Sequence, residues 1–210
     1  MKITIDKLFT DANTVKKIQE KLPKLFQVAD LETMRGGKVG MEVGSLRERI
    51  LVALLIHKFG EQNVKTDIPI TESEADVFVS GKPYSIKTLS NSLTALKLIW
   101  TVDAESAFTF SETYKPSCDM IFVHIHWEKQ GGLYCVSQQT QEEVMKNIGR
   151  ADYIKLPKAG TNPRGVEMTG KALKTLVEHS DTLKIAINWQ KQKLSFDAFE
   201  RWVELWNEEL

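Results

Sequence analysis

A mixed β-sheet flanked by helices is the α/β fold this sequence predicts, and three features predict it. Residues Ala75 to Thr88 hold two short β-branched and aromatic runs joined by Ser80-Gly81-Lys82-Pro83, the composition of a hairpin. Asp119 to Trp127 is nearly continuous in apolar residues, as a strand buried on both faces requires. On either side of these runs, apolar residues recur at helical spacing. With 210 residues the chain can build a full core, and residues 1–210 read as one domain.

In chain order, Asp6 to Leu31 reads as helix on Val15, Ile18, Leu22, Leu25 and Phe26, with Pro23 expected to break or kink it. It is scaffold or a dimerisation element. Met34 to Gly44 carries four glycines together with Arg35 and Lys38, a flexible basic loop whose backbone can approach a ligand closely. It lacks the Gly-Lys-Ser/Thr ending of a nucleotide-binding loop. Ser45 and Glu48 have capping-box spacing and open a helix that runs to Phe59 and closes at Gly60. The interior of that helix, Ile50 to Ile56, is apolar nearly all round and should pack against a sheet.

A strand-like run from Asn63 to Ile68 precedes the hairpin. Leu96 to Val102 fits a strand or the first turns of a helix, and Asp103 caps a helix through Glu105 and Phe108. Gly131-Gly132 is expected to turn into a partner strand from Leu133 to Ser137, and Thr140 with Glu143 to open a helix ending at Gly149. His124 and His126 share a strand face, yet no third ligand stands at a metal-binding spacing. A helix from Thr169 to His179, a strand from Leu183 to Trp189 and a helix from Phe196 complete the chain. In the last of these, Phe199, Trp202, Val203 and Trp206 form an amphipathic stripe suited to a core or a dimer interface.

Composition excludes several classes. Lys and Arg number 28 and Asp and Glu 28, so the chain is no polycation and any nucleic-acid binding must come from local basic patches. No apolar run approaches the ~20 residues of a membrane span, and Met1 to Asp6 lacks a signal-peptide core, so no membrane partner and a cytoplasmic location are expected. Cys118 and Cys135 lack ligand-like spacing and read as buried free thiols.

The hairpin carries the chemistry. Asp76 opens its first strand, Lys87 lies within the second, and Ser85 stands two residues before Lys87. Strand alternation puts Ser85 and Lys87 on one face and Ile86 on the other. With Asp76 facing the same way, a carboxylate and an ammonium stand over one patch that could hold a metal and a scissile phosphate. The plainer reading makes both residues part of a solvated strand face.

An Asp followed, a hairpin's length later, by x-x-Lys on the next strand resembles the PD-(D/E)xK nuclease superfamily, which includes most type II restriction endonucleases. The resemblance implies a restriction-endonuclease-like core, Mg²⁺ held by Asp76, and Lys87 placed against the attacking water or the scissile phosphate. Ser85 occupies the position where that family carries an acid, and members with a small residue there recruit a carboxylate from a neighbouring helix. Glu48 is the match for this second metal ligand, with Glu42 as substitute, although a Glu folded back onto its own cap cannot reach a metal. Asp103 and Glu105 are the nearest downstream carboxylates, and read as helix-start residues favoured by the dipole. The segment Gly40 to Arg49 and the Asn162-Pro163-Arg164-Gly165 loop resemble the ThaI-like group, which cuts CGCG.

That resemblance implies double-stranded DNA as partner. Arg35 and Lys38 would then contact DNA and Met41 would be an apolar wedge against a base step, where the alternative is a mobile linker. Lys155 to Gly165 holds three cations and no acid. Lys155 and Lys158 suit phosphates, Arg164 offers the fork that matches guanine and Asn162 the amide that matches adenine, against the alternative of a solvated loop. A small chain reading a palindrome does so most simply as a two-fold homodimer. Two further readings are a DNA-binding module whose catalysis was lost through Ser85, and an ordinary α/β domain that binds proteins.

Overall fold

The computed structural model describes residues 4–68, 74–158, 160 and 164–208. Thr71 to Ser73, Asn162 and the side chain of Arg164 lie outside the described residues. The N-terminal half begins with helices α1 (Asp6–Thr10) and α2 (Ala12–Glu32), a small hairpin β1 (Met34–Arg35) and β2 (Lys38–Val39), and helix α3 (Val43–Phe59). Then come β3 (Val64–Lys65), β4 (Val77–Val79), β5 (Lys82–Ser90), β6 (Ala95–Thr101), α4 (Ala104–Thr113), β7 (Asp119–Ile125) and β8 (Gln130–Val136). The C-terminal part is α5 (Gln138–Ile148), α6 (Arg150–Tyr153), β9 (Ile154–Lys155), β10 (Arg164–Thr169), α7 (Gly170–Glu178), β11 (Leu183–Asn188) and α8 (Glu200–Asn207).

A six-stranded sheet runs in the order β11-β8-β7-β5-β4-β3. Its one parallel pair is β5 with β7, because the chain crosses over through β6 and α4 between them; the other neighbours are antiparallel. As its apolar run predicts, β7 is buried on both faces. Ile121, Val123 and Ile125 pack with Leu22 and Phe26 of α2 and Leu51 and Leu55 of α3. Met120 and Phe122 face the opposite core, built with Val166 and Met168 of β10 and Leu173 and Leu176 of α7. Over that second face lies a further sheet of three strands, β6-β10-β9, which the sequence reading did not separate from the first.

Several elements differ from expectation for identifiable reasons. Helix α2 continues through Pro23: burying Leu22, Pro23 and Phe26 outweighs the lost backbone bond, and the chain breaks instead at Asp11, whose carboxylate caps Thr14 N at 2.9 Å. Met34 to Val39 is a hairpin rather than a flexible loop, since Gly36 and Gly37 take φ of +55° and +78° and supply a two-residue turn. Gly131 and Gly132 lie inside β8, not in a turn. A Cβ on Gly131 would meet the His124 carbonyl and the indole nitrogen of buried Trp189. Helix α5 is capped by Ser137, three residues before the expected Thr140. Cys118 and Cys135 are buried free thiols, as read. Among the described residues no helix is long and apolar enough to cross a membrane.

Candidate active site

The central hairpin forms as its residues dictate. Ser80 and Gly81 take φ of +50° and +81°, the geometry of a tight two-residue turn, and set Val79 opposite Lys82 and Val77 opposite Tyr84. Continuing that register, Asp76 lies just before β4, with its N–H donating to the Tyr84 carbonyl at 2.9 Å. Val77 and Tyr84 enter the core on the α2 and α3 side, so Asp76 and Lys87 emerge on the other face. There Lys87 Nζ donates to Asp76 Oδ2 at 3.0 Å, and the same oxygen accepts from Ile86 N at 2.6 Å. Both side chains are about three-quarters buried.

The third member comes from α3. Its helix begins at Val43, with no side-chain cap, so the expected Ser45–Glu48 capping box does not form and Glu48 is not folded back. Glu48 stands half-buried near Asp76 and Lys87. Burial first and the Asp76 carboxylate second push its carboxyl above the ordinary range, while Lys87 and Arg49 oppose the shift. Ionising Glu48 therefore costs stability above its raised value and nothing below the usual ~4.3. Glu48→Gln is expected to raise the melting temperature of metal-free protein at neutral pH, with the gain vanishing near about pH 4. A lower melting temperature at neutral pH would show that protein cations stabilise this carboxylate.

Met41, Ser45, Glu48, Lys87, Lys97 and Glu167 line an open cleft of about 460 Å³. Met41 overhangs it with 89% of its surface exposed. Ser85 is buried on the strand that forms the floor, as is the neighbouring Cys118 thiol, which burial pushes up to about 11. Arg35 and Lys38 are exposed on the β1–β2 hairpin, and Arg35 lies 3.5 Å from Glu42. Glu42 is thus ion-paired with Arg35 across the start of α3. Asp103 caps α4 by accepting from Ser106 N at 2.6 Å.

The far wall was not foreseen. Glu167 on β10 pairs with Lys97 of β6 at 3.6 Å and with Lys155 of β9 at 3.7 Å, so Lys155 belongs to an ion-pair network beside the cleft. Lys97 also stands 3.6 Å over the Trp100 ring. Arg164 begins β10 and Lys158 lies between β9 and β10. Glu74 was missed as well: it accepts from Tyr114 Oη at 2.7 Å, Ser117 N at 2.7 Å and Ser117 Oγ at 2.6 Å. These bonds anchor the segment that delivers Asp76, and nothing in the local string marks Glu74 from its acidic neighbour. His124 is held by the Asn91 carbonyl, and no group of three or more metal-binding side chains exists among the described residues.

A carboxylate–lysine pair on adjacent strands, faced by a helix glutamate, is an arrangement suited to phosphoryl chemistry, and comparison with known proteins decides its kind. The family model described as restriction endonuclease ThaI matches residues 8–208. The chain belongs to the ThaI restriction endonuclease family. A solved structure of a restriction endonuclease in complex with substrate DNA is similar to it with a TM-score of 0.90 and 51% identity, over 98% of this chain and 99% of that one. No curated protein matches. As a ThaI-family member the chain is a type II restriction endonuclease, a site-specific DNA nuclease, and its fold is the restriction-endonuclease-like α/β fold that the hairpin implied. Restriction endonucleases of this family generally use a divalent metal.

Proposed function

We propose that the cleft between α3, β5 and β10 hydrolyses phosphodiester bonds of duplex DNA with Mg²⁺, at a short palindromic site read by a homodimer. The observation that carries this is the convergence of Asp76, Lys87 and the raised carboxyl of Glu48 at the edge of an open cleft. Two carboxylates close enough to repel each other are an arrangement a divalent cation relieves, and Mg²⁺ is typically held by one or two carboxylates with waters and substrate phosphate completing its shell. Asp76 and Glu48 would hold it, and when bound it would lower the pKa of a water and offset charge on the reacting phosphate.

The chain's own residues do the rest. Lys87, already carried on the Asp76 oxygen, offers its ammonium to the attacking water or to a non-bridging phosphate oxygen. Ser85, buried against Cys118, supports the floor and could contribute only a neutral bond to a water. Met41 projects from the entrance and is assigned the wedge against a base step. Arg35, Lys38, Lys155 and Lys158 are assigned phosphate contacts, and Asn162 and Arg164 the base edges.

Supercoiled plasmid incubated with the protein tests the reading. Cleavage is expected with Mg²⁺ and not with EDTA, and sequenced ends should fall at one short palindrome, CGCG being the site that the resemblance implies. Cleavage that persists in EDTA, or ends without a common site, would overturn it.

A further inference from the structure

Helix α8 carries an apolar stripe that its own chain leaves open. Phe199, Trp202, Val203 and Trp206 are between 51% and 89% exposed, although their spacing is that of a buried face. Glu200, Glu204 and Glu208 make this segment acidic, and its one cation, Arg201, is engaged with Glu32 at the end of α2.

A matching groove lies elsewhere on the molecule. Between α2 and α3 a hollow of about 540 Å³ is floored by Leu22, Leu25, Ile50 and Leu54 and rimmed by Lys17 and Lys21. Lys58, also on the rim, is paired with Asp11 at 2.9 Å, whereas no carboxylate of the described residues pairs with Lys17 or Lys21. This groove explains why α3 is apolar nearly all round: Leu51 and Leu55 face the sheet, while Ile50 and Leu54 face the hollow.

We propose that α8 of one chain docks into the α2–α3 groove of a second copy, and reciprocally, so that two copies exchange C-terminal helices about a two-fold axis. The inference rests on the homodimer reading above and names the surface that makes it. Apolar stripe meets apolar floor and acidic helix meets lysine rim, a helix-in-groove contact. The placement suits symmetry. Arg201 ties α8 to the C-terminal end of α2, and the groove lies along Asp11 to Leu25 at the other end. A two-fold axis crossing α2 near its middle would set each helix over the other chain's groove. Three aromatic side chains at ~150–250 Å² each, with the groove surface they cover and the symmetric repeat, reach the ~1,600 Å² of a standard interface. Docking would also brace α3, which carries Glu48 toward the cleft.

The test is the solution mass of the full chain at micromolar concentration, by sedimentation or light scattering, with circular dichroism confirming the fold of each variant. Wild type is expected as a dimer. Trp202→Glu with Trp206→Glu, Lys17→Glu with Lys21→Glu, and Glu200→Lys with Glu204→Lys should each give folded monomers. Mixing the last two pairs of variants should restore a dimer, since every helix then meets a groove of opposite charge. A wild type that stays monomeric with and without DNA would remove the homodimer reading itself. A wild-type dimer that survives the helix or the groove variants, or a mixture that fails to reassociate, would overturn this surface and leave the homodimer standing.

Discussion

Replacing Asp76 by Asn is expected to slow DNA cleavage by on the order of 10³-fold or more while leaving the protein folded. The side chain keeps its shape, and its amide oxygen can still accept from Ile86 N, which now bonds Oδ2 at 2.6 Å. What disappears is the charge that holds Lys87 and would hold the metal. Lys87→Ala should lose ~10²–10³-fold, because an ammonium aimed at developing phosphate charge is worth about as much as one oxyanion-hole donor. Neither change touches the apolar cores, so the melting temperature should shift little. Single-turnover cleavage of a cognate duplex reads the rates, and duplex binding in EDTA should survive. Full activity in either variant would move the catalytic centre elsewhere.

The largest expected loss of stability lies beneath the site. Arg47 and Asp30 form a buried ion pair at 2.7 Å, with Arg47 also donating to Ser90 Oγ at 3.0 Å and Trp127 Nε1 to Asp30 Oδ2 at 3.2 Å. Four segments meet there: α2, α3, the end of β5 and the turn after β7. Arg47→Met leaves Asp30 buried without its cation and should cost about 3–5 kcal/mol, read from urea denaturation. Adding Asp30→Leu should recover much of that loss by removing the stranded charge. Arg47 directly precedes Glu48, so the surviving folded fraction of Arg47→Met should also cut more slowly. A loss below ~1 kcal/mol would show the pair to be solvated in practice.

What the sequence disclosed follows the range of the interactions involved. Asp76 and Lys87 were legible because strand alternation and a Ser-Gly turn are local rules, and the pair meets at 3.0 Å on neighbouring strands. Glu48 was legible only as one of two incompatible roles. The capping role falls because α3 starts two residues earlier than the Ser45 signal. From sequence alone the β1–β2 hairpin reads as a loop, because its glycines signal freedom without saying which turn they build. Glu167 and Lys97 were invisible, since they meet only through the pairing of β6 with β10, which are far apart in sequence and joined across a register shift. The basic character of Lys155 was legible, its carboxylate partner was not.

The central claim is that Asp76 and Glu48 hold the catalytic metal beside Lys87. Anomalous diffraction from crystals of the protein–DNA complex soaked in Mn²⁺ tests it most directly. An anomalous peak about 2 Å from a carboxylate oxygen of both Asp76 and Glu48, with Lys87 facing the scissile phosphate, is the predicted result. A peak held by other side chains, with Asp76 still bonded to Lys87 and Glu48 without a metal contact, would contradict it.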